Sequence, residues 1–353
     1  MADNKKKVFL ALSGGVDSST AAALLLKSGV DCAGVFIVTS DHSHHAQEDA
    51  EEVAKKLGIK LYVLDLRSDF ERILDYFCSE YKKGRTPNPC VFCNKLIKFG
   101  KLWDFARNKG AELLATGHYV RIFKHNGQMG LYQAFDVAKD QSYALSMIKR
   151  NILPYIILPM GCYSKDQTRE MAAKFGLGTA QKAESQEICF IPDQDYATVL
   201  EQRCPELVRK GNIIDSSGKI LGEHNGIHRF TIGQRRGLRV AMGKPYYVVK
   251  IDAESNTVTL GPKEELMHRQ LHATGVNWLT DEPKSAFRAK VKIRYNDKGA
   301  SALVSPQDNC VVVEFDELIP AITPGQLAAF YVQQGNHSRI IGGGWINKAA
   351  TPQ

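Results

Sequence analysis

The stretch SGGVDSS, Ser13–Ser19, decides the reading of this chain. Before it lies a short apolar run, residues 8–13, that reads as a strand. After it, residues 18–27 are rich in alanine and leucine and read as a buried helix. A glycine pair between a strand and a helix lets backbone N–H groups come close to a phosphate, and the helix adds its positive N-terminal end. Ser18 and Ser19 carry hydroxyl donors, and Asp17 can either orient the loop or meet a metal. The lysine and the spacing of a Walker A loop are both absent.

Outward from this loop the pattern keeps alternating. Residues 33–38, 61–64 and 113–115 read as strands. Residues 48–58 and 95–109 place their apolar side chains on one helical face, and Ser164 with Gln167 forms a capping box. Repeated strand–helix alternation implies βαβ units and a mostly parallel sheet. After about residue 205 turn signals become frequent. Residues 246–251 and 257–260 read as a hairpin, and residues 287–295, 310–315, 327–332 and 340–346 as strands. In residues 287–295 the apolar side chains alternate with Arg288, Lys290, Lys292 and Arg294, which predicts one buried and one basic face. The expected division is an α/β domain over residues 1–205, a small β-rich domain over 206–270 and a C-terminal β-barrel over 271–353.

The 353 residues, 44% hydrophobic and 24% charged, exclude a wholly disordered chain. Forty-six basic against 38 acidic residues give +8, which suits an anionic partner without requiring one. No stretch is apolar for long enough to span a bilayer, and the N-terminus reads as a tip leading into the first strand, not a signal peptide. A cytoplasmic, reducing setting is therefore expected, in which the eight cysteines are not disulfide-bonded. Five of them, Cys32, Cys78, Cys162, Cys204 and Cys310, read as small core residues.

GRTPNPCVFCNKLIKF, residues 84–99, is different. Its prolines hold the chain extended, and a helix starting near Asn94 sets Cys93 at the helix N-terminus, where a thiol pKa is expected to fall. In SQEICFIP, residues 185–192, Cys189 sits in an expected short strand.

SGGVDSS resembles the PP-loop of the N-type ATP pyrophosphatases, which adenylate a carbonyl oxygen. SGGVDSS, GRTPNPCVFCNKLIKF, ATGHY, KDQSYAL, SQEICF, FTIGQRRGL and the late PGQ together resemble, in order, the tRNA 2-thiouridylases. The resemblance runs from about Val8 to about Ile346. It implies a PP-loop domain, a central domain and a β-barrel, and an enzyme that thiolates the wobble uridine of tRNAs for lysine, glutamate and glutamine. It implies that Ala11, Leu12, Ser13, Gly14, Gly15, Val16, Asp17 and Ser18 bind ATP, with Mg2+, as do Ile37 and Gly117. It makes Cys93 the nucleophile and Cys189 the persulfide carrier, able to form a disulfide with Cys93. Asn88, Pro89 and Cys90 match the stretch that meets the base. His118, Lys139, Asp140, Gln141, Arg294, Tyr295 and Gln326 match tRNA-contacting positions. The implied partners are tRNA and a sulfur donor, either a persulfide carrier or a cysteine desulfurase. No membrane is implied, and a monomer is expected.

Cys90 departs from the family, many of whose members carry aspartate there. Two arrangements are open: a persulfide on Cys189 resolved by Cys93, or an iron–sulfur cluster held by Cys90, Cys93 and Cys189. The histidines His42, His44 and His45 read as a polar loop, not a metal site. Arg235 and Arg236 fit either a phosphate contact or a solvated turn. An amidating PP-loop enzyme and a non-catalytic tRNA-binding protein are the rival functions.

Overall fold

A computed structural model describes residues 5–182, 189–191, 195–238, 240 and 243–350. Strands β1 (Lys7–Ala11), β2 (Asp31–Val38), β3 (Leu61–Asp65) and β4 (Leu113–Ala115) are joined by helices α1 (Val16–Lys27), α2 (His44–Leu57) and α3 (Arg67–Lys82). Beyond α3 come α4 (Pro89–Cys93), a π-helix (Asn94–Lys101) and α5 (Leu102–Asn108). The next elements are a hairpin of β5 (Val120–His125) and β6 (Gln128–Gln133), then α6 (Ser142–Leu145), the short strand β7 (Ile156–Ile157) and α7 (Lys165–Lys174). The parallel sheet has the order β3-β2-β1-β4-β7, so successive units run away from β1 in opposite directions. Such a switch point opens a crevice at the carboxyl ends of the strands, where ligands of α/β sheets bind.

Burial explains the composition of these elements. β1 is apolar from Val8 to Ala11 because both faces are covered: Phe9 packs into one cluster with Trp103 and Leu114, and Val8 and Leu10 into another with Ala21 and Ala22. Helix α1 needs alanine because it too is enclosed, with Ala21, Ala22 and Thr20 fully or almost fully buried.

Helix α8 (Tyr196–Arg203) leads to a four-stranded sheet ordered β10-β11-β8-β9, from β8 (Gly211–Asp215), β9 (Ile220–His224), β10 (Tyr247–Asp252) and β11 (Thr257–Gly261). The expected hairpin is the antiparallel pair β10–β11. Strands β12 (Met267–Trp278), β13 (Phe287–Lys292), β14 (Ala300–Gln307), β15 (Cys310–Pro320), β16 (Leu327–Gln334) and β17 (His337–Ala350) follow. They run in the order β12-β15-β14-β13-β16-β17, and β17 pairs back onto β12, closing a six-stranded barrel.

Several local expectations need correction. The histidine segment is not a loop: a short 3-10 turn, Asp41–Ser43, leads into α2, and exposed His45 faces Glu48 at 3.3 Å. Helix α3 and the β5–β6 hairpin were not expected. The hairpin extends the barrel sheet, with Tyr132 and Leu131 in register with Arg339 and Ile340 of β17. The basic face of residues 287–295 is only partly free. Lys292 is buried 3.6 Å from Asp140, Arg288 pairs with Asp316, and the strand ends at Lys292. Cys162 is exposed and Cys310 half-buried, so neither is a core residue, whereas Cys32, Cys78 and Cys204 are. The expected strand around Cys189 falls mostly outside the described residues, and Cys189 and Phe190 themselves form a turn. No described helix is long and apolar enough to cross a membrane.

Candidate active site

The loop after β1 occupies the switch point. Gly15 is the N-cap of α1, and its carbonyl accepts from Ser18 Oγ at 3.0 Å and Ser19 Oγ at 2.9 Å. Ser18 Oγ also accepts from Ser13 N at 3.2 Å and lies 3.1 Å from Ser13 Oγ. Leu12, Gly14, Val16 and Ser18 are buried, Ala11, Gly15 and Asp17 half-buried, and Ser13 exposed. Gly14 has φ +73°, and a Cβ there would lie 2.6 Å from the Ala46 carbonyl oxygen. The loop is thus pressed against α2. Gly15 faces the open side, since a Cβ there would meet only Ser13 Oγ, at 3.6 Å. A concave run of backbone N–H groups at a helix N-terminus, with room in front of it, suits a polyphosphate.

Asp17 orients the loop. Its carboxylate accepts from Lys165 Nζ at 2.7 and 2.9 Å, and the Tyr119 hydroxyl lies 2.8 Å away. The same hydroxyl is 2.9 Å from Thr168 Oγ1. This network ties the loop to α7 and to the ATGHY segment. Sequence reasoning missed Lys165 and Tyr119. Tyr119 lay in a quoted motif, but only the fold brings Lys165, 148 residues from Asp17, to the loop. Gly117 is where that segment touches α1: a Cβ on it would sit 2.8 Å from Ser18 N and 2.9 Å from the Asp17 carbonyl carbon.

The second part of the site is built on α4 and the π-helix. Pro87 and Pro89 hold the entry, and Asn88 caps α4 by accepting from Val91 N at 3.3 Å. The helix therefore starts at Pro89, earlier than the sequence suggested, and Cys93 lies inside the helical run, not at its N-terminus. The expected fall in its pKa is overturned as well. Burial pushes the Cys93 thiol up to about 12 against the pull of Lys98, with Cys189 and Cys90 adding a smaller upward push. Burial also raises Cys90 and Cys189, and Lys98 opposes it at both. Both keep accessible surface; protein crowding on their other sides supplies the desolvation. Cys93 packs in a small apolar cluster with Ile37, at the end of β2, and with Phe190, next to Cys189. The switch-point edge and the thiols are thereby joined.

No three His, Cys, Asp or Glu side chains among the described residues are grouped to hold a metal ion, and Cys90, Cys93 and Cys189 are all described. As they stand, Cys90, Cys93 and Cys189 form no such group.

His118 Nδ1 lies 2.7 Å from Thr116 Oγ1, and its ring is 5.8 Å from that of Phe99. Burial, with Lys98 nearby, holds its pKa well below 6.5, so it is neutral at pH 7. The remaining expected positions divide in two. Asp140 is buried and accepts from Ala134 N, Ser142 N and Ser142 Oγ at 3.0, 3.2 and 2.7 Å. Gln141 Oε1 accepts from Tyr119 N at 2.9 Å, and Gln326 Nε2 donates to the Thr86 carbonyl at 2.9 Å. These side chains hold protein to protein. Lys139 is half-buried, while Arg294 and Tyr295 are exposed. The Tyr295 ring lies 6.3 Å from that of Tyr143, and Cys90 is among the groups that raise its pKa, after burial and Asp140. The barrel thus reaches toward the thiols. Arg235 and Arg236 are exposed on their turn.

Residues 6–193 match the family model described as tRNA methyl transferase HUP domain, residues 197–262 the PRC-barrel domain of that series, and residues 268–346 the aminomethyltransferase beta-barrel domain. The class is therefore a HUP-domain enzyme with a small central domain and a closed barrel. Similar proteins are tRNA-specific 2-thiouridylases MnmA. That of Carboxydothermus hydrogenoformans is 45% identical, with 98% of each chain covered. That of Syntrophotalea carbinolica is 43% identical over 98% of this chain and 100% of that one. The chain belongs to the tRNA-specific 2-thiouridylase MnmA family. Among solved structures, the U34-tRNA thiolase NcsA from Methanococcus maripaludis with its [4Fe-4S] cluster covers 59% of this chain and 68% of that one. Its TM-score of 0.38 and 17% identity are too low to transfer ligands.

Proposed function

We propose that this chain uses ATP to activate the C2 oxygen of a tRNA uridine and replaces it with sulfur, giving 2-thiouridine, AMP and pyrophosphate. The observation that carries this reading is that Cys93 and Ile37 pack against one apolar core of Leu66, Phe70, Ile73 and Ile97, which brings a thiol near the edge of the sheet that bears the phosphate loop. The uridine is that of the wobble position in tRNAs for lysine, glutamate and glutamine. ATP, with Mg2+, lies on residues 11–18, Ile37 and Gly117.

The sulfur arrives on Cys189 as a persulfide from a carrier or a cysteine desulfurase. Its terminal sulfur attacks the adenylated ring carbon, and AMP leaves with the C2 oxygen. The Cys93 thiolate then attacks the Cys189 sulfur, so the new S–S bond joins Cys93 to Cys189 and the displaced electron pair stays on the uridine sulfur. A cellular thiol reductant restores the pair. Asn88, Pro89 and Cys90 meet the base. Arg294, Tyr295, Lys139 and His118 line the RNA path, and Asp140, Gln141 and Gln326 hold the segments that form it. The protein works in the cytoplasm as a monomer, with domains at 1–205, 206–270 and 271–353.

Mass spectrometry of tRNA nucleosides from cells with and without the protein tests the reading. Loss of 2-thiouridine in the deletion supports it, and unchanged 2-thiouridine defeats it. With purified protein, activation without sulfur transfer points to an amidating enzyme, and tRNA binding without AMP release to a non-catalytic RNA-binding protein.

A further inference from the structure

Lys98 belongs to none of the roles above. It is half-buried on the π-helix, and among the described residues it has no ion pair with a carboxylate. Lys101 on the same helix does have one, with Asp69 at 2.9 Å. The helix type decides where Lys98 points. In an α-helix a step of five residues turns about 500°, leaving residue 98 roughly 140° away from residue 93. The π-helix begins at Asn94, directly after Cys93. Its wider turn, closed by i→i+5 bonding, brings a five-residue step back toward one face. Gly100 suits a position one wide turn on from Lys95, since a Cβ there would lie 3.0 Å from the Lys95 carbonyl oxygen. A rare helix type has thus been placed immediately after a reactive cysteine, with a lysine one wide turn on.

The surroundings of that face are consistent. The titratable groups there are Cys90 and Cys93 from α4, Cys189 from its turn, His118 after β4 and Tyr295 from the barrel. Lys98 is the cation acting on all three thiols and on His118. His118 is neutral at pH 7 and does not compete with it.

We propose that Lys98 is a positioning residue of the thiol site, its ammonium turned by the π-helix onto the cysteine face as the counter-cation for anionic sulfur on Cys93 and Cys189. The proposal rests on the thiolation reading for its purpose, but not for its test. Its role is to offset part of the desolvation that keeps these thiols protonated, so that the fraction of thiolate or persulfide anion rises.

The test is the pH dependence of iodoacetamide alkylation on the full chain, resolved cysteine by cysteine by mass spectrometry, for the native protein, Lys98→Met and Lys98→Arg. Lys98→Met is expected to move the midpoints of Cys93 and Cys189 to higher pH and to slow their alkylation about tenfold at pH 7.5, as one pK unit requires. Exposed Cys162 should keep its rate in every variant, as the internal check on folding, and Lys98→Arg should restore the native midpoints. Unchanged midpoints in Lys98→Met, or failure of arginine to restore them, overturns the proposal. The titration uses neither ATP nor tRNA, so it decides the role of Lys98 even if the nucleoside assay defeats the thiolation reading.

Discussion

The phosphate loop and the thiol site lie at the same edge of one sheet, but they are built in opposite ways. The loop is nearly self-contained: Ser13, Gly15, Ser18 and Ser19 bond one another within seven residues. Its long-range braces include the Asp17–Lys165 pair and the Tyr119 hydroxyl on Asp17. The thiol site has no such local frame. Cys93 comes from α4, Cys189 from a turn nearly a hundred residues later, and Lys98 from a π-helix; Cys93 and Phe190, the neighbour of Cys189, pack against one core of Leu66, Phe70, Ile73 and Ile97. Local bonding gives a site that forms with its own loop, whereas packed assembly gives one that depends on the segments around it. That difference suits the proposed chemistry: ATP would be held the same way in every cycle, while Cys93 would have to reach the Cys189 sulfur once its persulfide has reacted.

The sharpest way to break the comparison is to remove one sulfur. Cys93→Ser and Cys189→Ser should each abolish 2-thiouridine formation, because serine can neither carry sulfur nor close the disulfide. ATP binding should remain near native, since no atom of the loop is touched. Nucleoside mass spectrometry and equilibrium ATP binding read the two halves separately. Loss of both in Cys93→Ser would show that the sites are one cooperative unit.

The loop yields to smaller changes. Gly117→Ala drives a Cβ against Ser18 N, and overpacking of this kind costs about 1–3 kcal/mol. ATP binding should weaken about tenfold, with some loss of stability. Gly15→Ala is the counterpart, because its Cβ meets only Ser13 Oγ at 3.6 Å. It should leave the melting temperature unchanged and weaken ATP alone, by blocking the approach of phosphate. Equal destabilisation by both variants would refute the assignment of Gly15 to the open side.

The same contrast governs what the sequence made legible. A self-contained loop is written in consecutive residues, so SGGVDSS announced its strand and its helix. The parallel sheet and the barrel strands were legible for a similar reason, because residue alternation reports burial directly. The π-helix was not, since its apolar pattern passes for that of an α-helix, and with it went the placing of Lys98. The fall expected for the Cys93 pKa failed because helix position is local, but burial against the core of Leu66, Phe70, Ile73 and Ile97 is not. The basic stripe of residues 287–295 misled in the same way: Lys292 faces Asp140, and only the docking of the barrel on α6 brings them together.

pH sharpens the thiol side. The Cys93 thiol stands at about 12 in the folded protein against 9.0 for an ordinary cysteine. Below pH 9 both states hold the proton and the contribution to stability is complete. Between about 9 and 12 the unfolded thiol ionises while the folded one does not, so stability falls as pH rises. Buried Cys32, also raised to about 12, acts in the same direction. Urea midpoints measured from pH 7 to 10.5 should decline above pH 9, and less steeply in Cys93→Ser. An identical slope in the variant would mean that Cys93 is not desolvated.

The smallest effect expected lies where the two parts of the enzyme are clamped. Gln326 Nε2 donates to the Thr86 carbonyl at 2.9 Å, and Thr86 N donates to the Pro324 carbonyl at 2.9 Å, so the barrel holds the segment that enters α4. Gln326→Ala removes the first of these bonds and keeps the second. A single neutral hydrogen bond is worth about 1 kcal/mol, so global stability should fall by no more than that. Its position makes it useful all the same. Asn88 caps α4 two residues after Thr86, so loosening this entry should slow sulfur transfer several-fold while leaving ATP binding alone. If Gln326→Ala weakens ATP binding as much as it slows transfer, the barrel braces the whole sheet edge and not the thiol segment.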